Sequence, residues 1–418
     1  MAQQEHKIHI IGAGISGLIA AQVLEQNGFS PIIIEATGSI GGRIKTDLVQ
    51  GYQLDHGFQV LLTAYPAAQK YLDFKALDLQ KFLPGAAIFK NGQQLVIGDP
   101  IRNISLLFPT LLSGIGLFSD KLLILKLNRL LKQKSVLEIF SEKEQTTLSY
   151  LKEFGFSNEI ITDFFSPFFS GIFLENKLTT SSRMLNFIYK MFGEGYAALP
   201  KSGIAAIPKQ LSEKLTRTTI QFNTKVSAVK DKQIDLADGT ELASDFIIVA
   251  TEASPLISRL KNQKTEWKSC YTLYFEVEKR TIRTPLIGLV PNKESVVNNI
   301  FYHTSLNTAT TATKELLSVT VIDHKNLSEE ALIKRVQIEL KEQCAIEGTR
   351  FIKLYHIPTA LPNLDHLRYE MSPSETRLTS GIFLAGDTQL NGSLNAAIIS
   401  GERAALAVIE TISGTVLS

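Results

Sequence analysis

The chain has 418 residues, enough for two domains with a sizeable core. Its 43 basic and 41 acidic side chains leave a net charge of +2, which argues against a nucleic-acid surface. Two distant cysteines, Cys270 and Cys344, exclude a disulfide framework and fit a reducing compartment, and seven histidines without ligand spacing give no metal site.

The start, "MAQQEHK", is polar and is expected to carry no signal peptide, which places the chain in the cytoplasm. Ile8 to Ile11 is an apolar run that reads as a strand buried on both faces. Gly12, Gly14 and Gly17 follow as G-x-G-x-x-G, and Leu18 to Leu24 continues at helical spacing. In that pattern Gly12 permits the tight turn, Gly14 the approach of a pyrophosphate and Gly17 close helix–strand packing. The helix N-terminus supplies free N–H groups to phosphates. "NGFS" ends the helix and "PIIIE" is the next strand, closed by Glu35, whose carboxylate can accept from ribose hydroxyls. A plain turn is the rival, but strand, loop, helix, strand and acid together predict a dinucleotide site. The loop alone leaves FAD and NAD open.

Next comes "ATGSIGGRIKTD", a glycine loop holding Arg43, then a short strand, a loop and a helix starting near Pro66. Residues 99 to 192 read as mainly helical. Within them, the apolar stretch 101–118 is too short and too interrupted to span a bilayer. It leaves three readings: core helices, the wall of an apolar tunnel, or a surface resting on a membrane. Phe164, Phe165, Phe168, Phe169 and Phe173 are likewise either core or tunnel lining. Residues 203 to 215 suit a helix. Apolar–polar alternation from Thr219 then turns at "ADGT" and ends in a buried strand, Phe246 to Ala250. Ser269 to Val277, Thr281 to Val290 and Glu315 to Asp323 read as strands, and Ser328 to Glu342 as a helix. "GIFLAGDTQLNGSLNAAIISGERAALAVIE" gives a strand, a polar glycine loop and a long helix. The layout is interleaved: nucleotide-binding parts at 1–75, 200–265 and 375–418, a helical substrate part at 76–199 and a sheet part at 266–374.

The opening loop, the "GSIGGRI" segment and the closing "FLAGDTQLNGSLNAAIISGERAA" resemble the flavin-containing amine oxidase superfamily. That superfamily includes monoamine oxidases, protoporphyrinogen oxidases and phytoene-type desaturases, and the desaturase-like ending is the nearest in character. The resemblance implies an α/β fold in which a Rossmann-type FAD-binding domain is interleaved with a mixed helix-plus-sheet substrate domain. It implies an FAD-dependent oxidoreductase, with non-covalent FAD because no cysteine follows Cys344. Gly12, Gly14, Ile15, Ser16, Gly17, Glu35 and Ala36 would serve the ADP half. Gly41, Gly42 and Arg43 would reach the pyrophosphate or the flavin edge, with an ordinary surface arginine as the rival. The segment from Asp55 to Leu62 would run beside the flavin, with Gly57 allowing close approach and Phe58 or Gln59 lining the substrate face. Val226 would meet the adenine end through its backbone, and Ala250 and Thr251 the pyrophosphate. Gly386 and Asp387 would hold ribityl hydroxyls, and Ser393, Leu394, Asn395 and Ala396 would present a helix N-terminus to the flavin pyrimidine ring. Lys201 and Gly203 resemble a family element that starts a helix beside the flavin domain.

His56 is either an acid–base group or a packing histidine, and no catalytic residue is named. Ser393 stands where amine oxidases carry an aromatic, and Asn395 where an acid is frequent. The expected reaction is hydride removal from a small apolar substrate, isoprenoid, carotenoid-like or tetrapyrrole-like. The alternatives are an amine oxidase releasing peroxide and a flavin-bound binding protein without turnover. A peripheral membrane contact is left open, and the oligomeric state is not legible.

Overall fold

The computed structural model describes residues 6–90, 92–99, 102–106 and 114–415, so part of the apolar stretch 101–118 lies outside the described residues. Strands β1 (Ile8–Ile11), β2 (Ile32–Ile34), β10 (Thr219–Gln221), β14 (Phe246–Val249) and β20 (Ile382–Leu384) form a parallel sheet in the order β10-β2-β1-β14-β20. The β1–β14 register pairs Ile8 with Phe246 and Ile11 with Val249. These runs lack polar alternation because both faces are covered. Ile10, Ile33 and Ile248 join the core beneath helices α1 (Ile15–Gln26) and α10 (Leu394–Ser413). Ile11, Ile34, Ile247 and Val249 instead pack on an antiparallel layer of β11 (Val226–Lys230), β12 (Gln233–Leu236) and β13 (Glu241–Ala243).

A second sheet has the order β19-β15-β18-β17-β16-β7-β8. Its strands are β7 (Gly85–Lys90), β8 (Gln93–Gly98), β15 (Glu266–Val277), β16 (Ile287–Leu289), β17 (Val297–Tyr302), β18 (Glu315–Val321) and β19 (Arg350–Asn363). Helix α9 (Glu329–Cys344), capped by the Ser328 hydroxyl, lays Leu332, Val336 and Leu340 on one face. The hairpin β3 (Thr46–Val49)–β4 (Tyr52–Asp55) and a small sheet of β5 (Leu61–Leu62), β9 (Ala197–Pro200) and β6 (Leu79–Lys81) link the halves, with α2 (Pro66–Tyr71) between β5 and β6. The helical part comprises α3 (Phe118–Gln133), α4 (Val136–Ser141), α5 (Thr147–Phe154), a π-helical turn at Ile161–Phe165, α6 (Ser166–Phe173) and α7 (Ser182–Glu194). Helix α8 (Ala206–Glu213) returns the chain to the first sheet. No helix among the described residues is long and apolar enough to cross a membrane.

Several strands depart from the sequence expectation. Thr281 to Val290 was expected to be one strand, but only Ile287–Leu289 pairs, because Pro285 has no N–H and a tight turn joins Leu286 to Thr284. The hairpin β7–β8 precedes the helices of 76–199, and β17 and β19 lie in stretches without clear alternation. Strand β19 contains Pro358 and Pro362, which only an edge strand tolerates, and it occupies the sheet edge with bulged register against β15.

Helices α1 and α10 cross with backbone nearly touching. A Cβ on Gly401 would fall well inside van der Waals distance of the Ser16 carbonyl, which cannot retreat without moving α1. Gly401→Ala is therefore expected to destabilise the fold by about 1–3 kcal/mol through overpacking, read as a lower urea midpoint at unchanged slope.

Candidate functional site

The N-terminus of α1 is built to receive an anion. Gly14 is its N-cap, no side chain caps the first turn, and no acid lies there. A Cβ on Gly14 would meet nothing within 4 Å, so the backbone faces open space. Gly12, at φ +103°, donates its N–H to Ile34 O at 2.8 Å, and a Cβ on Gly17 would collide with the Gly12 carbonyl. Glu35 closes β2: one oxygen accepts Ala13 N at 2.8 Å, the other Thr37 N and Oγ1 at 2.8 Å. The carboxylate is thereby oriented before any ligand arrives.

The second glycine loop lies on the first. Gly41 N donates to Ala13 O at 2.9 Å, and a Cβ on Gly42 would stand 3.5 Å from Gly14 Cα. From this loop the Arg43 guanidinium reaches a residue distant in sequence, donating to Asp387 Oδ1 at 2.5 Å. It also donates to Ala360 O at 3.3 Å and lies 5.0 Å over the ring of Trp267. The sequence suggested separate ligands for Arg43 and Asp387; the two side chains in fact hold each other. Ser393 caps α10, accepting Ala396 N at 3.0 Å and donating to Asn391 Oδ1 at 2.6 Å.

A cavity of about 1190 Å³ runs past these groups, beyond the usual range for one drug-sized ligand. Among the expected residues, Gly12, Gly14, Ile15, Ser16, Glu35, Gly41, Gly42, Arg43, Gly57, Phe58, Ala250, Thr251, Gly386, Asp387, Ser393 and Leu394 line it. Five do not. Gly17 lies beneath the loop, Ala36 is exposed, and Val226 is buried with Val229 and Ile234. Ala396 is in the core, and fully buried Asn395 accepts Ala67 N at 3.0 Å, tying α10 to α2.

The cavity continues into the helical part. Phe164, Phe168 and Phe173 line it, with Ile124, Met184, Ile188 and Phe192, whereas Phe165 and Phe169 are fully buried core. Both sequence readings of this aromatic run are realised: Phe164 and Phe168 reach the cavity, Phe165 and Phe169 stay in the core, and Phe173 packs on Phe169 while touching the cavity. Arg102, bonded to the Phe192 and Gly195 carbonyls, sits beside Tyr196 at the wall.

Several wall residues escaped the sequence reading. Trp267 and Lys268 come from β15, and Ile357, Thr359, Ala360 and Leu361 from β19. Lys268 Nζ donates to Thr180 Oγ1 at 3.3 Å, and burial lowers its pKa. The chain's single Trp could have been singled out on composition; Lys268 carried no signal. Cys270 also lines the cavity, but burial pushes its thiol up to about 12, far from a reactive thiolate. His56 shares a 2.9 Å hydrogen bond with Asp47 Oδ2 and packs at a 30° tilt on Tyr355 with ring centroids 4.3 Å apart, while Tyr355 itself donates to Asp47 at 2.7 Å. It is held as a packed side chain that also touches the wall. Lys201 pairs with Asp78 at 3.2 Å, and Gly203 makes a turn at φ +85° against Thr46.

Beneath this loop lies Asp55, to which the sequence assigns no role of its own. Its Oδ1 accepts Thr46 Oγ1 at 2.6 Å and Ile204 N at 3.1 Å, joining the β3–β4 hairpin to the approach of α8. Burial pushes its pKa to about 6.

The chain matches the family of flavin-containing amine oxidoreductases over residues 15–409. It belongs to that family. It is similar to protoporphyrinogen oxidase 2 of Arabidopsis thaliana, 26% identical over 169 residues, 40% of this chain and 32% of that protein. A 4,4′-diapolycopen-4-al dehydrogenase of Metabacillus indicus is 39% identical over 56 residues, 13% of this chain and 11% of that protein. These matches span a third or less of the curated relatives' length. An oxidoreductase from Methanosarcina mazei shares the fold at TM-score 0.71 and 16% identity, covering 97% of this chain and 100% of that one. The residues of this site fit FAD, the flavin of that family. The uncapped α1 N-terminus would take the pyrophosphate, Glu35 the ribose, and the Arg43–Asp387 region the flavin half.

Two outcomes follow. Arg43→Ala leaves the buried Asp387 carboxylate without its cation, a loss of about 1–3 kcal/mol. FAD is then expected to dissociate about ten- to a hundredfold more readily, measured by flavin fluorescence. For Asp55, the folded pKa of about 6 lies above its ordinary 3.8, so the folded state keeps the proton longer than the unfolded chain. Stability is therefore expected to fall as pH rises from about 4 to 6, by on the order of 3 kcal/mol, and to flatten above. Asp55→Asn should remove that slope from a series of urea midpoints.

Proposed function

We propose that the protein removes a hydride from an elongated apolar substrate, isoprenoid-like or tetrapyrrole-like, and passes it to FAD. One observation carries this reading: the cavity leads from the glycine loops directly into the wall of Phe164, Phe168, Phe173, Met184, Ile188 and Phe192. When bound, FAD supplies the hydride acceptor. The chain's own task is to align a C–H bond and keep water out. Burying an apolar ligand against such a wall stabilises the complex by about 25 cal/mol per Å² without needing a charged anchor. At the other end, β19 offers Ile357, Thr359, Ala360 and Leu361 and the loop before α10 offers Asn391, Gly392 and Ser393. None of these seven is aromatic, so they provide no ring pair to flank an amine. The names of the plant oxidase and the diapolycopenal dehydrogenase, one a tetrapyrrole enzyme and one a carotenoid enzyme, point the same way.

The test is spectroscopic. The purified protein is expected to show a flavin band that passes a filter after denaturation, as non-covalent FAD does. Under anaerobic conditions, a long-chain polyene precursor or a reduced tetrapyrrole should bleach that band, and short amines should leave it unchanged. Bleaching by amines, with peroxide on admitting air, would replace the reading with an amine oxidase. A band that none of these compounds bleaches would leave a flavin-bound binding protein.

A further inference from the structure

We propose that the cavity selects a substrate whose apolar chain carries a carbonyl oxygen, and that Asn299 and Thr320 of the second sheet hold that oxygen. This selectivity rests on the apolar-substrate reading and narrows it to a class of compound. Strand β18 alternates: Val319 and Val321 pack in the core beneath α9, so Thr320 between them faces the cavity. Across from it, Val297 of β17 pairs with Val321 but Asn299 pairs with Thr320, because a bulge inserts one residue between the two pairs. Without the bulge Asn298 would stand opposite Thr320. Bulges re-aim side chains beside binding sites, and this one is anchored. Buried Glu339 of α9 accepts Val296 N at 3.0 Å and Val297 N at 3.1 Å. From the other side α6 approaches with Gly171, where a Cβ would stand 2.9 Å from both Asn298 Nδ2 and Asn299 Oδ1. Asn299 and Thr320 are thus fixed in the cavity wall, only 2% and 4% exposed.

Their hydrogen bonds leave a surplus of one kind. Asn298 Nδ2 donates to Pro167 O at 3.1 Å and to Asn299 Oδ1 at 2.8 Å, which uses both its hydrogens. Asn299 Nδ2 donates one hydrogen to Thr320 Oγ1 at 3.2 Å. Its second hydrogen and the Thr320 hydroxyl hydrogen meet no acceptor among the described residues. A carbonyl oxygen with one lone pair filled is ordinary, whereas a buried N–H or O–H without an acceptor costs free energy. The pair therefore lacks an acceptor. A ligand carbonyl brings two lone pairs and no hydrogen. A hydroxyl would add a third hydrogen, and a carboxylate would bring a charge that neither side chain can neutralise.

The subsite is separate from the Arg43–Asp387 pair. Arg43 lies over Trp267 of β15, and the residue of β15 opposite Thr320 is Thr272. Five residues of strand separate Trp267 from Thr272, roughly 15 Å. Both places border the same cavity, so one elongated molecule can reach from one to the other.

The test uses FAD-loaded protein and two polyenes of the same chain, methyl retinoate and the hydrocarbon in which a methyl group replaces the ester. Quenching of Trp267, the chain's single tryptophan and part of the cavity wall, reads binding. The ester is expected to bind about tenfold tighter than the hydrocarbon. Thr320→Val keeps the shape without the hydroxyl and should erase the preference, whereas Thr320→Ser should keep it. Flavin content and circular dichroism check that both variants fold. Equal binding of the two compounds by the wild type would overturn the subsite, as would a preference that survives Thr320→Val. Equal binding with bleaching of the flavin would leave the hydride reading standing without the subsite. Preferred binding of the ester by a protein whose flavin no apolar compound bleaches would support the subsite and count against hydride transfer. Binding of neither polyene would overturn both.

Discussion

The whole site depends on how closely helix α1 can approach its neighbours. At Gly17 it lies against the end of β1, and at Gly401 the backbone of α10 lies against Ser16; neither contact has room for a methyl group. The first contact aims the α1 N-terminus along the cavity wall. The second brings α10, and with it the loop carrying Asp387 and Ser393, to the same cavity although it lies at the far end of the sequence. Gly42, at φ +60°, then turns the second glycine loop onto Gly14, which carries Arg43 to Asp387. Remove one close approach and the later ones lose their geometry.

The electrostatics follow from that arrangement. Asp387 is 8% exposed, and a carboxylate taken out of water needs a partner to repay its desolvation. Arg43 supplies it, so this cation is largely neutralised before a ligand binds. Attraction for phosphate then falls to the α1 N-terminus, where backbone N–H groups and the helix dipole act without a mobile side chain. The ion pair contributes position: it clasps residues 344 apart and holds the guanidinium over Trp267.

The parts legible in the sequence are those fixed by local rules. Glycines at turns, an acid at a strand end and Ile-rich runs have few structural solutions, so the parallel sheet and its loops could be read directly. What could not be read depends on partners distant in sequence. Arg43 and Asp387 were each singled out, but nothing local announces their pairing. Strand β19 hides behind two prolines that only its edge position makes tolerable, and with it go Ile357 and Leu361. The phenylalanine run could not be divided, because the π-helical turn at Ile161–Phe165 alters the helical phase on which such a division rests. Asp55 looks like any strand-end acid until Thr46 and Ile204 close around it.

The polar groups of the wall bear on what the cavity tolerates. Arg43 is bonded to Asp387, Lys268 to Thr180, His56 to Asp47 and Asn299 to Thr320, the last at 3.2 Å. Each of these four has a partner within the protein, so a hydrocarbon passing them leaves none of them without a bond; Trp267 Nε1 in the same wall is buried without a partner. Selection among apolar molecules then becomes coarse, since one methylene in such a pocket discriminates by only about 1–3 kcal/mol. Length and curvature of the cavity, set by the packing of α6 against β17 and of α7 against α3, α4 and α5, are left to decide which bond reaches the flavin.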